Sequence, residues 1–408
     1  MSKRILFITQ WFEPEPTFKG LLFAKELVSR GFEVEVITGF PNYPGGKLYD
    51  GYRLKLIQKE KIDGVLISRV PLFPSHSKNK LGRIVNYLSF GFSSLIYGLI
   101  FSKRPDVIYA YHPPLTVGFS ALIIKIFKRV PVILDIQDMW PDTLKATGMI
   151  NNPKLLGLIS KICSLVYSSV SKIVVLSPGF KSLLIDRDVP EDKIEVIYNW
   201  ANEKMLRKNY GESVSQLSAY DGFKVMFAGN IGYAQGLDTI LDAALLLKNE
   251  ASRPKFIILG QGPYLKKLKS RAVSLNLDNL IFLPAVSMNE VGVFLDNADA
   301  LLIHLNSDPL FNITIPGKTQ AYMAIGKPII MGVSGDAANL ITKAECGVCF
   351  EPENAANLAQ AIKDLMLLSP NDLSRLGENA KKFYDENLST KKGIDTFSKI
   401  FNEVADNK

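Results

Sequence analysis

The feature of this sequence best suited to chemistry is a lysine just behind a proline and a glycine, in the run NITIPGKTQAYMAIGKP at residues 312–328. Pro316 can open a helix, because the first helical position needs no backbone donor. Gly326 supplies a stop before a strand expected at 328–331. The first turn of such a helix presents unpaired N–H groups and a positive dipole end, and Lys318 adds a full charge. The segment therefore reads as an anion site, most naturally for phosphate. An ordinary crossover helix would need the same Pro and Gly. A second such feature is AGNIGYAQG, where Gly229, Gly232 and Gly236 lie between an expected strand at 224–228 and a helix at 237–248. Glycines there let backbone amides approach a phosphate, although their spacing is not that of the dinucleotide fingerprint. Asp138 and Trp140 put a carboxylate and an aromatic face at the end of a strand expected at 131–136, the end where open α/β sheets take ligands. Gly20, near the start of the first helix, either admits a ligand to the backbone or is a simple turn residue.

Composition sets the frame for these sites. The 408 residues are 47% hydrophobic and 22% charged, too many for one comfortable core, and imply two domains. The net charge of +8 is uneven: residues 1–200 carry +9 and the remainder −1. A basic first half calls for an anionic partner. Nucleic acid is set aside, because no helix-turn-helix, zinc finger or aromatic-basic RNA signature occurs, which leaves an anionic membrane surface. Cys346 and Cys349 have the spacing of a redox or zinc half-site, yet only three histidines and no second cysteine pair exist to complete one. All three cysteines are expected in the core of a protein of the reducing cytosol, with no cleavable signal sequence ahead of the first strand.

The elements that must position these residues follow an α/β grammar. A strand at 3–9, a loop at 10–18, a helix at 20–30 and a strand at 33–38 form a βαβ unit at the outset. Residues 39–63 read as a long loop, and a third strand is expected at 64–70. Residues 84–101 carry no charge and are long enough to span a bilayer. The strands on either side, however, should enter one sheet. The stretch is therefore expected to be a core helix or one lying in an anionic interface, where Lys78, Lys80, Arg83, Lys103 and Arg104 would flank it. Strands at 172–176 and 193–198 complete the first half, and 199–221 is polar and unperiodic. The second half repeats the pattern and ends in helices at 355–368, 373–386 and about 390–404. The only Asp-x-Asp, Asp186 and Asp188, reads as solvated charge rather than a metal site.

The motifs QWFEPEPT, TGFPNYPGG, DIQDMWPDTL, AGNIGYAQGLDTILDAA and IPGKTQAYMAIGKPI, in this order, resemble the retaining glycosyltransferases of family four. Within that family the likeness is to the bacterial capsule and O-antigen branch, including fucosamine-type transferases, and it covers essentially the whole chain. The resemblance implies the GT-B fold: two doubly wound parallel-sheet, Rossmann-like domains facing a central cleft. Residues 1–200 would form an acceptor-binding, membrane-facing domain, 201–221 a linker and 222–385 a donor-binding domain. Residues 386–408 would form a last helix packing back on the first domain. The resemblance also implies retention without a metal or other cofactor. Three positions depart from the family pattern. Its two acids eight residues apart fall on Asn312 and Gln320, its phosphate-binding Arg and Lys on Asn230 and Gln235, and its His after the strand at 131–136 on Gln137.

The chain is therefore expected to be a cytoplasmic enzyme, peripherally bound to the inner face of the cell membrane. It would move an N-acetylated amino or deoxy sugar from a UDP carrier to a polyprenyl-diphosphate-linked glycan. The catalytic residues would be Asp138 and Lys318. Donor contacts would come from Gly229, Asn230, Gln235, Gly236, Asn312, Thr314, Ile315, Pro316 and Gln320, and acceptor contacts from Gly20, Gln137 and Trp140. The rival readings are a nucleotide-sugar 2-epimerase of the same architecture and a non-catalytic sugar-nucleotide-binding partner of an assembly complex.

Overall fold

A computed structural model describes residues 2–75, 80–146, 149–206, 221–250 and 252–407. Short apolar runs such as RILFI and VILDI are buried along their length, as strands covered on both faces must be. They assemble into two sheets. The first has eight strands in the order β3-β4-β2-β1-β5-β6-β7-β8. These are β1 Arg4–Ile8, β2 Glu33–Gly39, β3 Gln58–Ile62, β4 Val65–Val70, β5 Val107–His112, β6 Val132–Ile136, β7 Lys172–Val175 and β8 Ile194–Val196. All pairings are parallel except β3 with β4. The second sheet is wholly parallel, in the order β11-β10-β9-β12-β13-β14. Its strands are β9 Lys224–Asn230, β10 Lys255–Gln261, β11 Leu280–Leu283, β12 Ala300–His304, β13 Ile329–Gly332 and β14 Gly347–Cys349.

The chain divides into two compact units, Met1–Tyr198 with Gly393–Lys408, and Asn199–Lys392. The helix Thr390–Asp406 brings Phe397 and Phe401 into the first unit, where both rings pack on Tyr109 and are fully buried. The helix Glu203–Leu206 lies in the second unit. Most of the expected linker, residues 207–220, is outside the described residues, as are Lys78 and the side chain of Lys80.

Three expectations need correction. Residues 39–63 are not one loop: β3 pairs antiparallel with β4 through Asp63 and Gly64, both at positive φ (47° and 88°). Asp-Gly is the favoured pair for such a turn. Pro316 sits one residue ahead of the helix Gly317–Ile325, as its N-cap, and Gly326 closes the helix at φ 82°. Cys349 is exposed at the edge strand β14, whereas Cys163 and Cys346 are buried. The uncharged stretch forms the helix Lys80–Ile100, and no helix among the described residues is long and apolar enough to cross a membrane.

Candidate functional site

In the second unit the site forms where β9 ends. Its last turn of chain, Gly229 to Gly236, is fixed from beneath by the end of β12. His304 accepts the Glu353 N–H on Nε2 at 3.0 Å, which leaves Nδ1 to donate to Gln235 O at 2.8 Å. Burial lowers the pKa of His304, and its ring stacks on Phe350 at 13°. The neutral tautomer thus follows from its two partners. Asn306 adds two ties, its backbone N–H to Ala234 O at 2.9 Å and its Nδ2 to Tyr233 O at 3.0 Å. Gly236 has φ 54°, and a Cβ there would fall 2.1 Å from Asn306 Oδ1. Gln235 turns back on the loop, its Oε1 accepting the Gly232 N–H at 3.0 Å, while Asn230 is exposed beside it.

The helix Gly317–Ile325 is fastened to the same strand. Tyr322 OH accepts the Ala228 N–H at 2.9 Å and lies 3.2 Å from Ala228 O. That anchor places Lys318, in the first turn, behind the glycine loop. Its Nζ stands 3.6 Å from the centre of the Phe227 ring and 3.3 Å from where a Cβ on Gly229 would be. Gly229, at φ 138°, leaves the ammonium its room. Lys318 as a whole is half-buried, but its Nζ is buried and has no hydrogen-bond acceptor among the described residues. Burial pushes its pKa down to about 7. An unpaired buried amine is costly unless an anion joins it.

The remaining expected donor residues divide. Asn312 is exposed, and its carbonyl oxygen lies 1.9 Å from where a Cβ on Gly335 would be, so the 312 turn and the loop after β13 fit only with glycine between them. Gln320 is 2% exposed, and its amide, turned nitrogen inward, donates to Pro316 O and Gly317 O at 3.1 Å. It therefore braces the start of its own helix. Thr314 donates to Leu310 O at 2.7 Å, and Ile315 is buried.

In the first unit Gln137, Asp138 and Trp140 follow the carboxyl end of β6, whereas Gly20 lies in the connection after β1, directly before the helix Leu21–Ser29. Asp138 is half-buried, and burial raises its pKa. Trp140 lies edge-on to His112 at 5.5 Å. Gln137 faces inward, its Nε2 donating to Asp135 Oδ1 at 2.5 Å. The other oxygen of Asp135 holds Lys19 Nζ at 2.7 Å and Tyr109 OH at 2.5 Å, with Lys19 and Asp135 both fully buried. Gly20 is filled against Glu13: a Cβ would meet Glu13 Oε2 at 2.4 Å, and that oxygen already accepts the Leu21 N–H at 2.6 Å. The room at Gly20 thus serves a carboxylate that caps the helix Leu21–Ser29. Glu15, 2% exposed, accepts the N–H groups of Asn42 and Tyr43 at 2.7 Å and ties the first loop to the second.

Sequence reasoning missed His304, Asn306, Lys19, Asp135 and His112. His304 and His112 each close an apolar strand, and a polar residue at a carboxyl strand end was the available signal. Among the described residues no group of three or more His, Cys, Asp or Glu is placed to hold a metal.

Two Rossmann-like parallel-sheet units make up the GT-B architecture. Residues 21–200 match the glycosyl transferase 4-like domain and residues 212–383 match glycosyl transferases group 1. Between them these matches span most of the chain, which carries a glycosyl transferase 4-like domain followed by a glycosyl transferases group 1 domain. It is 25% identical over 339 residues to the probable glycosyltransferase WbjE of Pseudomonas aeruginosa, covering 80% of this chain and 82% of that one. It is 25% identical over 356 residues to the putative colanic acid biosynthesis glycosyl transferase WcaI of Escherichia coli, covering 84% and 86%. Among solved structures, Anabaena HepE in complex with UDP superposes with a TM-score of 0.72 at 14% identity, covering 98% of this chain and all of that one.

Proposed function

We propose that the protein transfers a sugar, with retention, from a UDP-sugar to a polyprenyl-diphosphate-linked acceptor in the biosynthesis of a surface polysaccharide. The observation that carries this reading is the buried, unpartnered Lys318 ammonium behind Gly229. The departing diphosphate gains negative charge as the bond from the anomeric carbon breaks, and a preorganised cation beside it lowers the barrier. In this reading Lys318, loop amides and the helix dipole meet that charge without a metal. The acceptor hydroxyl forms the new bond to the anomeric carbon on the face the diphosphate leaves, and its proton passes to the departing phosphate. Asp138 orients that hydroxyl. The UDP carrier is supported by the likeness to the HepE complex, and the polysaccharide setting by the likeness to WcaI, a putative colanic acid biosynthesis glycosyl transferase.

The lipid part and the peripheral association with the inner face of the cell membrane rest on the first unit. The helix Lys80–Ile100 exposes Leu81, Ile84, Val85, Leu88 and Phe92, and the neighbouring helix Leu115–Lys128 exposes Phe119, Ile126 and Phe127. An apolar face on the half of the chain carrying net charge +9 suits an anionic bilayer surface. Co-sedimentation with anionic vesicles that weakens with salt, and is absent with neutral vesicles, is the expected outcome. A protein that stays in the supernatant with both would remove the membrane from the account.

A second reading, a silent sugar-nucleotide-binding partner, draws on Asn312 and Gln320, uncharged where the family resemblance expects acids, with Gln320 spent on its own helix. Incubation of a radiolabelled UDP-sugar panel with polyprenyl-diphosphate-linked acceptors separates the two. Label in the lipid fraction supports transfer, and tight donor binding with no product for any pair supports the silent partner.

A further inference from the structure

The donor chemistry leaves unused a row of aromatic rings at the carboxyl rim of the first sheet. Trp11 stands 5.0 Å from Tyr43 and 6.4 Å from Tyr87, and Tyr87 stands 6.3 Å from Trp140. The four rings come from four places: the loop after β1, the loop after β2, the helix Lys80–Ile100 and the loop after β6. Packing alone would close such a row, as it does at Phe7, Phe23, Tyr109, Phe397 and Phe401, which are 0–1% exposed. Here all four residues are half-buried.

Polar groups lie beneath and beside the rings. His112 is fully buried against Trp140, and neither ring nitrogen has a partner among the described residues. Burial lowers its pKa to about 3, so it is neutral, with one donor and one acceptor to offer. Gln10 Oε1 is also buried without a partner, although its Nε2 donates to Asn86. Burial raises the Tyr43 and Tyr87 phenols, with the Asp138 carboxylate adding a smaller upward push at both and Arg83 opposing it at Tyr87. Unpaired buried polar atoms are rare enough to need an explanation, and apolar walls with a few convergent polar groups are the usual make-up of a small-molecule site.

We propose that Trp11, Tyr43, Tyr87 and Trp140 form a platform for a neutral pyranose ring, the terminal sugar of the acceptor. The rings cover its C–H face, and Asp138 and the two phenols hold its hydroxyls. This rests on the reading that the first unit takes the acceptor. The chemistry fits a lipid-linked sugar in particular, because Tyr87 lies between Val85 and Leu88, both exposed on the same helix. One helix thus offers an apolar outer face to the lipid and a ring to its sugar.

The test uses the protein's own fluorescence. Trp11 and Trp140 are in the platform, and the third tryptophan, Trp200, is 6% exposed in the other unit. The full chain is titrated with the methyl glycosides of N-acetylglucosamine, glucose, galactose, mannose and fucose, with glycerol as the ring-free control. At least one glycoside is expected to shift the emission saturably in the millimolar range, and glycerol is not. Tyr87→Ala should weaken that response about tenfold, the scale of one aromatic contact, while Tyr87→Phe, which keeps the ring and loses only the hydroxyl, should weaken it less. Tyr43→Ala, on a separate loop, should weaken it as well, which guards against a folding defect at Tyr87. No saturable shift with any glycoside, or a Tyr87→Ala response equal to wild type, would overturn the platform. UDP-induced thermal stabilisation, measured on the same samples, reports the second unit, so loss of the platform alone leaves the donor reading standing.

Discussion

At the scale of single residues the account turns on Lys318. Replacing it with alanine removes the charge set against the leaving group and should cut turnover by about an order of magnitude or more; activity within about twofold of wild type would take Lys318 out of the site. Its lowered pKa makes a further prediction. Below about pH 7 the free protein already carries the proton that an anion needs, and above it each binding event must take one up. UDP affinity should therefore be level below pH 7 and fall as pH rises, by at most about tenfold per unit. Lys318→Met should bind more weakly and lack that fall, and titration calorimetry across the range reads both. The lysine and its neighbouring glycines were legible in the sequence, because Pro, Gly and Lys announce their local geometry. The partners of His304 and of the Lys19–Asp135 pair were not. The members of the latter stand 116 residues apart, and only the folded sheet brings them to 2.7 Å.

At the scale of elements, the loop Gly229 to Gly236 and the helix behind it work as one part. Gly236→Ala would force a left-handed residue to carry a Cβ, at a cost of about 1–2 kcal/mol, and would drive it into Asn306. The expected result is weaker UDP binding with little change in the platform's fluorescence; unchanged UDP binding would show that the loop does not touch the nucleotide. Glu15 makes a different prediction for the loops of the first unit. Burial raises its pKa to about 7, against the backbone N–H groups that lower it. The folded form thus favours the protonated acid. The stability contribution is present in full below the ordinary pKa of 4.5 and is lost as pH rises through about 7. Denaturant unfolding followed between about pH 5 and about pH 8 should show that decline in wild type and less of it in Glu15→Gln. The apolar strands and the glycine-bounded helices could be read from the sequence by their runs and stops. The edge strand β3 could not be read by apolarity, since QKEKI has a polar face on each side of the pleat. Its Asp-Gly turn was the signal that outweighed composition.

At the scale of the whole molecule, the architecture follows from two repeats of the same βαβ grammar, and the last helix belongs to the first of them. Phe397 and Phe401 are fully buried there, so Phe401→Ala should cost about 3–5 kcal/mol. The loss should appear in the Trp11 and Trp140 fluorescence transition of the first unit; an unmoved transition would mean that the helix contributes nothing to that core. A thermal-shift screen of the full chain against UDP, GDP, ADP and their common sugar conjugates probes the assignment of the donor to the second unit. Binding to the native state alone raises the melting temperature by mass action. A rise with UDP and a larger one with a single UDP-sugar are expected, both reduced in Lys318→Ala. The absence of a shift with every nucleotide, or an undiminished UDP shift in Lys318→Ala, would contradict that assignment.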